Sequence, residues 1–362
     1  MSQTIAVLGA GNGGQAMAAE MAMRGHRVRL YEHPKFAATI APLRESREIE
    51  LVGDIVSGRV RVEVVTTDLA EAVHDASFVF LPVPAFAHPH YADGLAPLLE
   101  DGQVVVLFPG TFGTLFLREQ FDRAGMRKDV ILCETHTLPY DCRLEAPGRV
   151  LVLWKNQPML VGVFPATRTR ETLERLGDHF YDFRPLTDVL EAGLCSVNPV
   201  LHLPACIMNT GRIERSRGEF WLYEEGFTPT VCRVTEAVDA ERVALARAYG
   251  YSVPTLVQEL AEHQVPRDLF FEINGAHDLV PIKGPMSVKS RYFTEDIPFG
   301  LVPWVELGDR ASFDTPLLDG LLAMGQVIIQ QDARKDGRTL ATLGLSGMNG
   351  EQIRRYVTTG SK

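Results

Sequence analysis

Residues Thr4–His33, TIAVLGAGNGGQAMAAEMAMRGHRVRLYEH, decide how the rest of the chain is read. TIAVLG is a short apolar run rich in β-branched residues, the pattern of a buried strand. GGQAMAAEMAMRG is built from Ala, Met and Glu and stops at Gly25, the pattern of a helix with a glycine end. HRVRLYEH alternates and predicts a second strand. The join, Gly9-Ala10-Gly11-Asn12-Gly13-Gly14, is a G-x-G-x-x-G between strand and helix, and an acidic residue, Glu32, ends the second strand. In that context Gly9 permits the tight turn, Gly11 lets backbone approach a pyrophosphate, and Gly14 lets the helix pack on the strand. The helix start, with Asn12 and Gly13, offers unpaired N–H groups to phosphate. Glu32 can accept hydrogen bonds from an adenosine ribose. A glycine-rich turn that binds nothing would not require the strand, the helix and the acid together, so the stretch predicts a dinucleotide site. Glu32 favours NAD over NADP because a 2′-phosphate would meet a carboxylate. His33 and Lys35 beside it soften that repulsion and keep NADP as the alternative cofactor.

Working outward, the pattern repeats. Helix DLAEAVHDA, strand SFVFLPV, helix YADGLAPLL, strand QVVVLFPG, helix FLREQFDRAG and strand DVILCET follow in turn. GRVRVEVVTTD reads as one further strand after a turn at Gly58, and RVLVLWK and PMLVGVFP as strands near the sheet edge. Such alternation implies a mostly parallel, doubly wound α/β sheet covered on both faces. LPVPAFAHPH follows the fourth strand, so Val83 and Pro84 are candidates to line the cofactor trough; FPGTFGT follows the fifth, at the carboxyl edge where open α/β sheets bind ligands.

After about Pro185 strand-like runs nearly vanish, and DVLEAGLCSVN, EAVDAERVALARAYG, PTLVQELAEH, PLLDGLLAMGQVIIQQD and EQIRRYV read as helices. The expected division is a dinucleotide-binding domain over 1–184 and an all-α substrate and catalytic domain over 185–362, with substrate held in a cleft between them. The 362 residues are 46% hydrophobic, ample for two cores, and the net charge of −10 argues against a nucleic-acid partner. Five cysteines, with no C-x-x-C, favour neither a disulfide framework nor a metal site and fit a reducing, cytoplasmic setting. VLEAGLCSVNPVLHLPACIMN is long enough for a membrane span, but Glu191, Asn198, His202 and two prolines make it a buried helix, so no membrane association is expected.

Within that run, Asn198 and His202 stand four residues apart and share a face of any helical segment. Pro199 and Pro204 pinch the backbone on either side, which would turn that face toward a cleft. Spacing alone also fits a core histidine satisfied by backbone.

SVNPVLHLPACIMN, followed by SRYFTEDIPFGLVPWVELG and GRTLATLGLSG, resembles the opine dehydrogenases, the octopine/nopaline dehydrogenase family, and the resemblance covers nearly the whole chain. It implies a Rossmann-like domain followed by a helical domain of the 6-phosphogluconate dehydrogenase C-terminal kind. It also implies a reversible reductive condensation of an amino acid with a 2-keto acid using NAD(P)H. By motif, His202 corresponds to the catalytic histidine, Asp296 to the carboxylate that orients it, and Arg291 to the arginine that grips a substrate carboxylate; Asn198 matches by neighbourhood. Glu295 competes with Asp296 as the partner of His202. Thr135, in CETHTLPYDCR, is a substrate-binding candidate, with His136 and Arg143 as polar neighbours. The run LHLPA departs from the family's usual proline spacing and leaves the pocket shape open. Trp221, Tyr223 and Phe227 are candidate specificity residues, and a homodimer is compatible with the family. Two rivals remain. A ketopantoate reductase-like oxidoreductase would need a catalytic lysine, for which only Lys283 and Lys289 stand near, and a non-catalytic NAD-binding sensor would have no use for an acid/base set.

Overall fold

The computed structural model describes residues 2–177, 180–261, 267–276, 279–280 and 282–362. The chain folds into two compact units, Met1–Ala192 with Tyr356–Lys362, and Gly193–Arg355. The first break falls inside the helix Val189–Cys195, later than the composition change at 184/185, and the last residues of the chain return to the first unit. There the Tyr356 ring packs edge-on against Phe164, and the Lys362 ammonium pairs with Glu119 at 2.7 Å. The sequence carries no mark of this return, because it is made by side-chain contacts and not by composition.

Among the described residues the first unit holds twelve strands: β1 Thr4–Leu8, β2 Arg27–Tyr31, β3 Glu48–Val52, β4 Gly58–Arg61, β5 Val64–Thr66, β6 Phe78–Leu81, β7 Val104–Leu107, β8 Ile131–Thr135, β9 Tyr140–Ala146, β10 Arg149–Lys155, β11 Met159–Phe164 and β12 Phe183–Pro185. Eight form one sheet in the order β12-β11-β8-β7-β6-β1-β2-β5. From β5 to β8 every neighbour is parallel, and β11 adds an antiparallel edge to β8. The order reverses at β1, the topological switch where doubly wound sheets bind ligands. β6 and β7 are wholly buried, as continuous apolar runs of a sheet covered on both faces must be.

The remaining strands form a second sheet, β4-β3-β10-β9. GRVRVEVVTTD is therefore not one strand. It breaks after Arg61, β4 pairing with β3 in the small sheet and β5 with β2 in the large one. RVLVLWK, expected at the edge of the large sheet, is a central strand of the small one. Register is set by burial: Val62 and Val65 lie in the same core, but the chain must switch sheets between them.

A buried ionic network ties the sheets to the first helix, Asn12–Met23. Glu20 accepts from Lys155 Nζ at 2.5 Å and from the Tyr140 hydroxyl, which also meets Tyr181 at 3.0 Å. Burial alone would raise the Glu20 carboxyl, but Lys155, Tyr140 and Arg24 together outweigh it and hold the group below its ordinary range. The second unit is helical. The Pro229–Ala248 helix runs through it, and its Arg242 guanidinium, fully buried, is consumed by Asp239, Leu194 O and Pro254 O. PTLVQELAEH gives a short helix Leu256–Leu260 with a Thr255–Gln258 capping box; residues 262 and 263 lie outside the described residues. The apolar stretch Val189–Met208 is 83% buried, the mark of a core element.

Because the folded Glu20 carboxyl is depressed, its stabilisation is present above the unfolded value near pH 4.5 and lost as pH falls through the folded value. Lys155→Met should cost about 3 kcal/mol at neutral pH by leaving that carboxylate short of a partner. The gap from wild type in urea unfolding should narrow as pH drops below about 4.5. A gap independent of pH would show that Lys155 acts by packing alone.

Candidate active site

The glycine turn shows each glycine used differently. Gly9 has φ +109°, and a Cβ there would lie 2.4 Å from Val83 Cγ1, so Val83 packs over the turn. A Cβ on Gly14 would lie 1.8 Å from the Gly9 carbonyl oxygen, so the helix touches the end of β1 there. Gly13 makes room for Leu138, whose Cδ2 would be 2.9 Å from an added Cβ. At Gly11 nothing lies within 4 Å. That open position, at the N-cap of the Asn12–Met23 helix with no side-chain cap and no acid in the first turn, is where a phosphate can approach backbone. Glu32 closes the turn: its carboxylate accepts from Ala10 N at 2.8 Å and His33 N at 2.7 Å. Its position beside the turn is therefore fixed. These residues fit a dinucleotide.

Asn12 is tied down through its side chain. Its side-chain oxygen accepts from Leu144 N at 3.0 Å, and Gln15 bridges Ala10 O (2.7 Å) and Gly148 N (2.9 Å), so both side chains moor the loop to the β9–β10 hairpin. The Asn12 side-chain oxygen is thereby committed to the hairpin. Pro84 caps a short 3₁₀ turn, Ala85–Ala87, and stays partly exposed beside Val83. The FPGTFGT loop is held from below by Glu134, which the sequence reading passed over. Its buried carboxylate accepts from Phe112 N and Thr114 N, both at 2.8 Å, capping the Gly113–Arg123 helix. Thr135 drops out of the substrate set. It is 1% exposed in β8, and its hydroxyl donates to Thr137 O at 2.7 Å. His136 is buried as well, and Arg143 lies exposed on the hairpin.

In the second unit the histidine segment forms an uninterrupted helix, Asn198–Met208, despite its prolines. Pro199 sits in the first turn, where no N–H bond is lost. Pro204 lies inside the helix and removes one bond without breaking it. The expected local disruption is absent. Instead, Pro199 is a packing surface: a Cβ on Gly300 would lie 2.4 Å from its Cγ, so the π-helical turn Asp296–Leu301 can approach only because residue 300 is glycine. That approach brings Asp296 Oδ2 to 2.8 Å from His202 Nδ1, across 94 residues of sequence, with side chains 12% and 13% exposed. The turn is backed by Arg338, whose N–H donates to Pro298 O at 2.9 Å and whose guanidinium lies 5.5 Å from the Phe299 ring centre. This gives GRTLATLGLSG a role.

Asp296, not Glu295, is the partner of His202. Glu295 instead meets Arg291 at 3.3 Å, and the Arg291 side chain is 66% exposed. Tyr292, which the sequence reading did not single out, stacks on the imidazole with ring centres 4.0 Å apart and planes at 27°. Asn198 lies one helical turn before His202. Cys206, one turn after it, is buried; burial first and the Asp296 charge second push its thiol far above the ordinary range, so it is no nucleophile. Trp221 is exposed beside Lys283, whereas Tyr223 and Phe227 are buried and stacked on one another, core residues and not pocket residues. Lys283 pairs with Glu219 at 2.5 Å and Lys289 is exposed, so neither is placed as a catalytic lysine.

A family model described as NAD/NADP octopine/nopaline dehydrogenase, alpha-helical domain, matches residues 185–329, and one described as NAD-dependent glycerol-3-phosphate dehydrogenase N-terminus matches residues 4–112. An opine dehydrogenase of Arthrobacter sp. (strain 1C) is 35% identical over 358 residues, 98% of this chain and 99% of the relative. The chain belongs to the opine dehydrogenase family. Protein ocs of Agrobacterium tumefaciens (strain Ach5) is 25% identical over 97% of this chain and 98% of its own length. Among solved structures, an octopine dehydrogenase complex with NADH and L-arginine matches with TM-score 0.74 at 23% identity, covering 100% of this chain and 99% of that one. A ketopantoate reductase from Ralstonia eutropha JMP134 matches with TM-score 0.59 at 18% identity, over 93% and 99%. These two likenesses concern the fold. As an opine dehydrogenase family member, the protein is an NAD(P)-dependent oxidoreductase acting on CH–NH donors.

The glycine geometry separates folding from binding in this opine dehydrogenase. Gly14→Ala must displace backbone and should cost about 3 kcal/mol or more of stability. Gly11→Ala enters open space and should stay within about 1 kcal/mol of wild type. By fluorescence titration its NADH affinity should nevertheless fall about tenfold, a loss of about 1.4 kcal/mol. Unchanged NADH affinity in Gly11→Ala would remove residue 11 from the cofactor site.

Proposed function

We propose that His202, Asp296 and Arg291 carry the reductive condensation of an amino acid with a 2-keto acid in this protein, with Asn198 contributing to substrate binding. The observation that carries the reading is the His202–Asp296 hydrogen bond. A carboxylate on Nδ1 fixes the proton there, which leaves Nε2 as the atom that exchanges protons. The amine and the keto carbon join with loss of water to an imine, and bound NAD(P)H supplies the hydride to its carbon. The resulting secondary amine and the departing water both require proton management, and an imidazole, which can give and take a proton at one ring nitrogen, suits both. Tyr292, stacked on the ring, limits its rotation.

Arg291 is suited to the anchoring role because its hold on Glu295 is loose. At 3.3 Å, with two-thirds of the side chain in solvent, that pair costs little to give up, and a substrate carboxylate can take the guanidinium in bidentate fashion. Glu32 supports NAD as the preferred cofactor. The amino acid is to be found by screening NADH oxidation with amino acids against pyruvate, 2-oxoglutarate and glyoxylate.

On the best substrate pair, His202→Asn should lower kcat about 10²–10⁴-fold in the folded protein. Arg291→Met should act mainly on KM for the carboxylate it grips, raising it about tenfold or more. Near-normal turnover in His202→Asn would refute the acid/base assignment, and a loss confined to kcat in Arg291→Met would refute the anchoring one.

A further inference from the structure

The loops that flank the glycine turn meet through two histidines. His33 follows Glu32 at the end of β2, and His90 lies in the His88–Leu95 helix after β6. Their ring centres are 4.2 Å apart at 68°. His33 Nδ1 accepts from Lys35 N at 2.9 Å, so its proton sits on Nε2, the other edge of the ring. Phe36, 47% exposed, lies 6.2 Å from His33, and Tyr91 lies 5.5 Å from His90. The Glu32 carboxylate is pinned beside them by Ala10 N and His33 N, at the ribose end of the dinucleotide site.

We infer that His33 and His90 form a site for the 2′-phosphate of a dinucleotide, filled when the pair carries a proton. The inference rests on the dinucleotide reading of the glycine turn and goes beyond it. Without the proton, Glu32, Asp68 and Asp93 stand around this cluster with Lys35 beside it, and a phosphate dianion meets a negative surround. One added proton offsets part of that charge and supplies a donor directed by a ring already held in place. Two protons at this separation would repel, so the pair takes up one. Burial first, and His33 second, hold the His90 imidazole below its ordinary value, with Asp93 acting the other way. NAD is then preferred through Glu32, and NADP is admitted on acidification.

The test measures Kd for NADH and NADPH by fluorescence titration on the full chain. From about pH 7.5 to about pH 5.5, wild-type affinity for NADPH relative to NADH should rise about fivefold, equivalent to about 1 kcal/mol. The phosphate's own ionisation opposes this rise equally in every variant. His90→Asn and His33→Asn should each flatten the rise. Glu32→Gln should raise relative NADPH affinity at both pH values and keep the slope. A flat wild-type ratio, or parallel slopes in wild type and the histidine variants, would overturn the proposal. If wild type bound no NADH at any pH, the dinucleotide reading itself would fall, and this proposal with it.

Discussion

The hydrogen bond between His202 and Asp296 is the contact around which the second unit is arranged. A histidine and a carboxylate 94 residues apart can meet at 2.8 Å only if their elements approach at backbone distance. Gly300 permits that approach, Pro199 presents a rigid face to it, and Gly325 admits the Ile297 side chain behind it. Arg338 and Gly337 hold the far side of the same turn, where a Cβ on Gly337 would lie 2.4 Å from Pro298 O. The π-helical geometry of Asp296–Leu301 follows from this crowding, and such turns recur at functional sites. The prolines around His202 do not open the helix. They stiffen and shape the surface on which the carboxylate-bearing turn is seated.

The first unit solves a different problem, keeping backbone N–H groups available at a helix start while preventing collapse of the loop that carries them. Side chains inside the loop do the mooring: Asn12 and Gln15 reach the β9–β10 hairpin, and Glu32 reaches Ala10. The small sheet thus serves the site. It gives the glycine turn a wall of hydrogen-bond partners that a bare doubly wound sheet would lack. Glu134 does the same for the loop after β7, where Thr111 and Phe112 adopt positive φ that only strong tethering maintains.

Much of this was legible in order along the chain. The strand–glycine–helix–strand–acid series, the parallel run to β8 and the helical second half all follow from periodicity and from where glycine falls. His202, Asp296 and Arg291 were assigned by resemblance, since spacing alone left His202 open to a core role. What the sequence hid was anything made by contacts between distant segments. The split of GRVRVEVVTTD between two sheets depends on β3, a five-residue segment that was not read as a strand. Thr135 was a substrate-binding candidate from its place at the end of a strand, yet its hydroxyl is used within its own turn. Tyr223 and Phe227 looked like pocket aromatics and are core. Tyr292 and Glu134 carry no spacing signal, because their partners are fixed only once the chain is folded.

The central claim is that His202 and Asp296 act as one unit in proton transfer, and a double-mutant cycle on kcat tests it most directly. Three variants, His202→Asn, Asp296→Asn and the pair, would be measured at saturating substrates. The account predicts strong non-additivity: once His202 is gone, removing Asp296 should change kcat by less than about threefold. Rate losses that multiply in the double variant would mean that the two groups work independently, and would contradict the account.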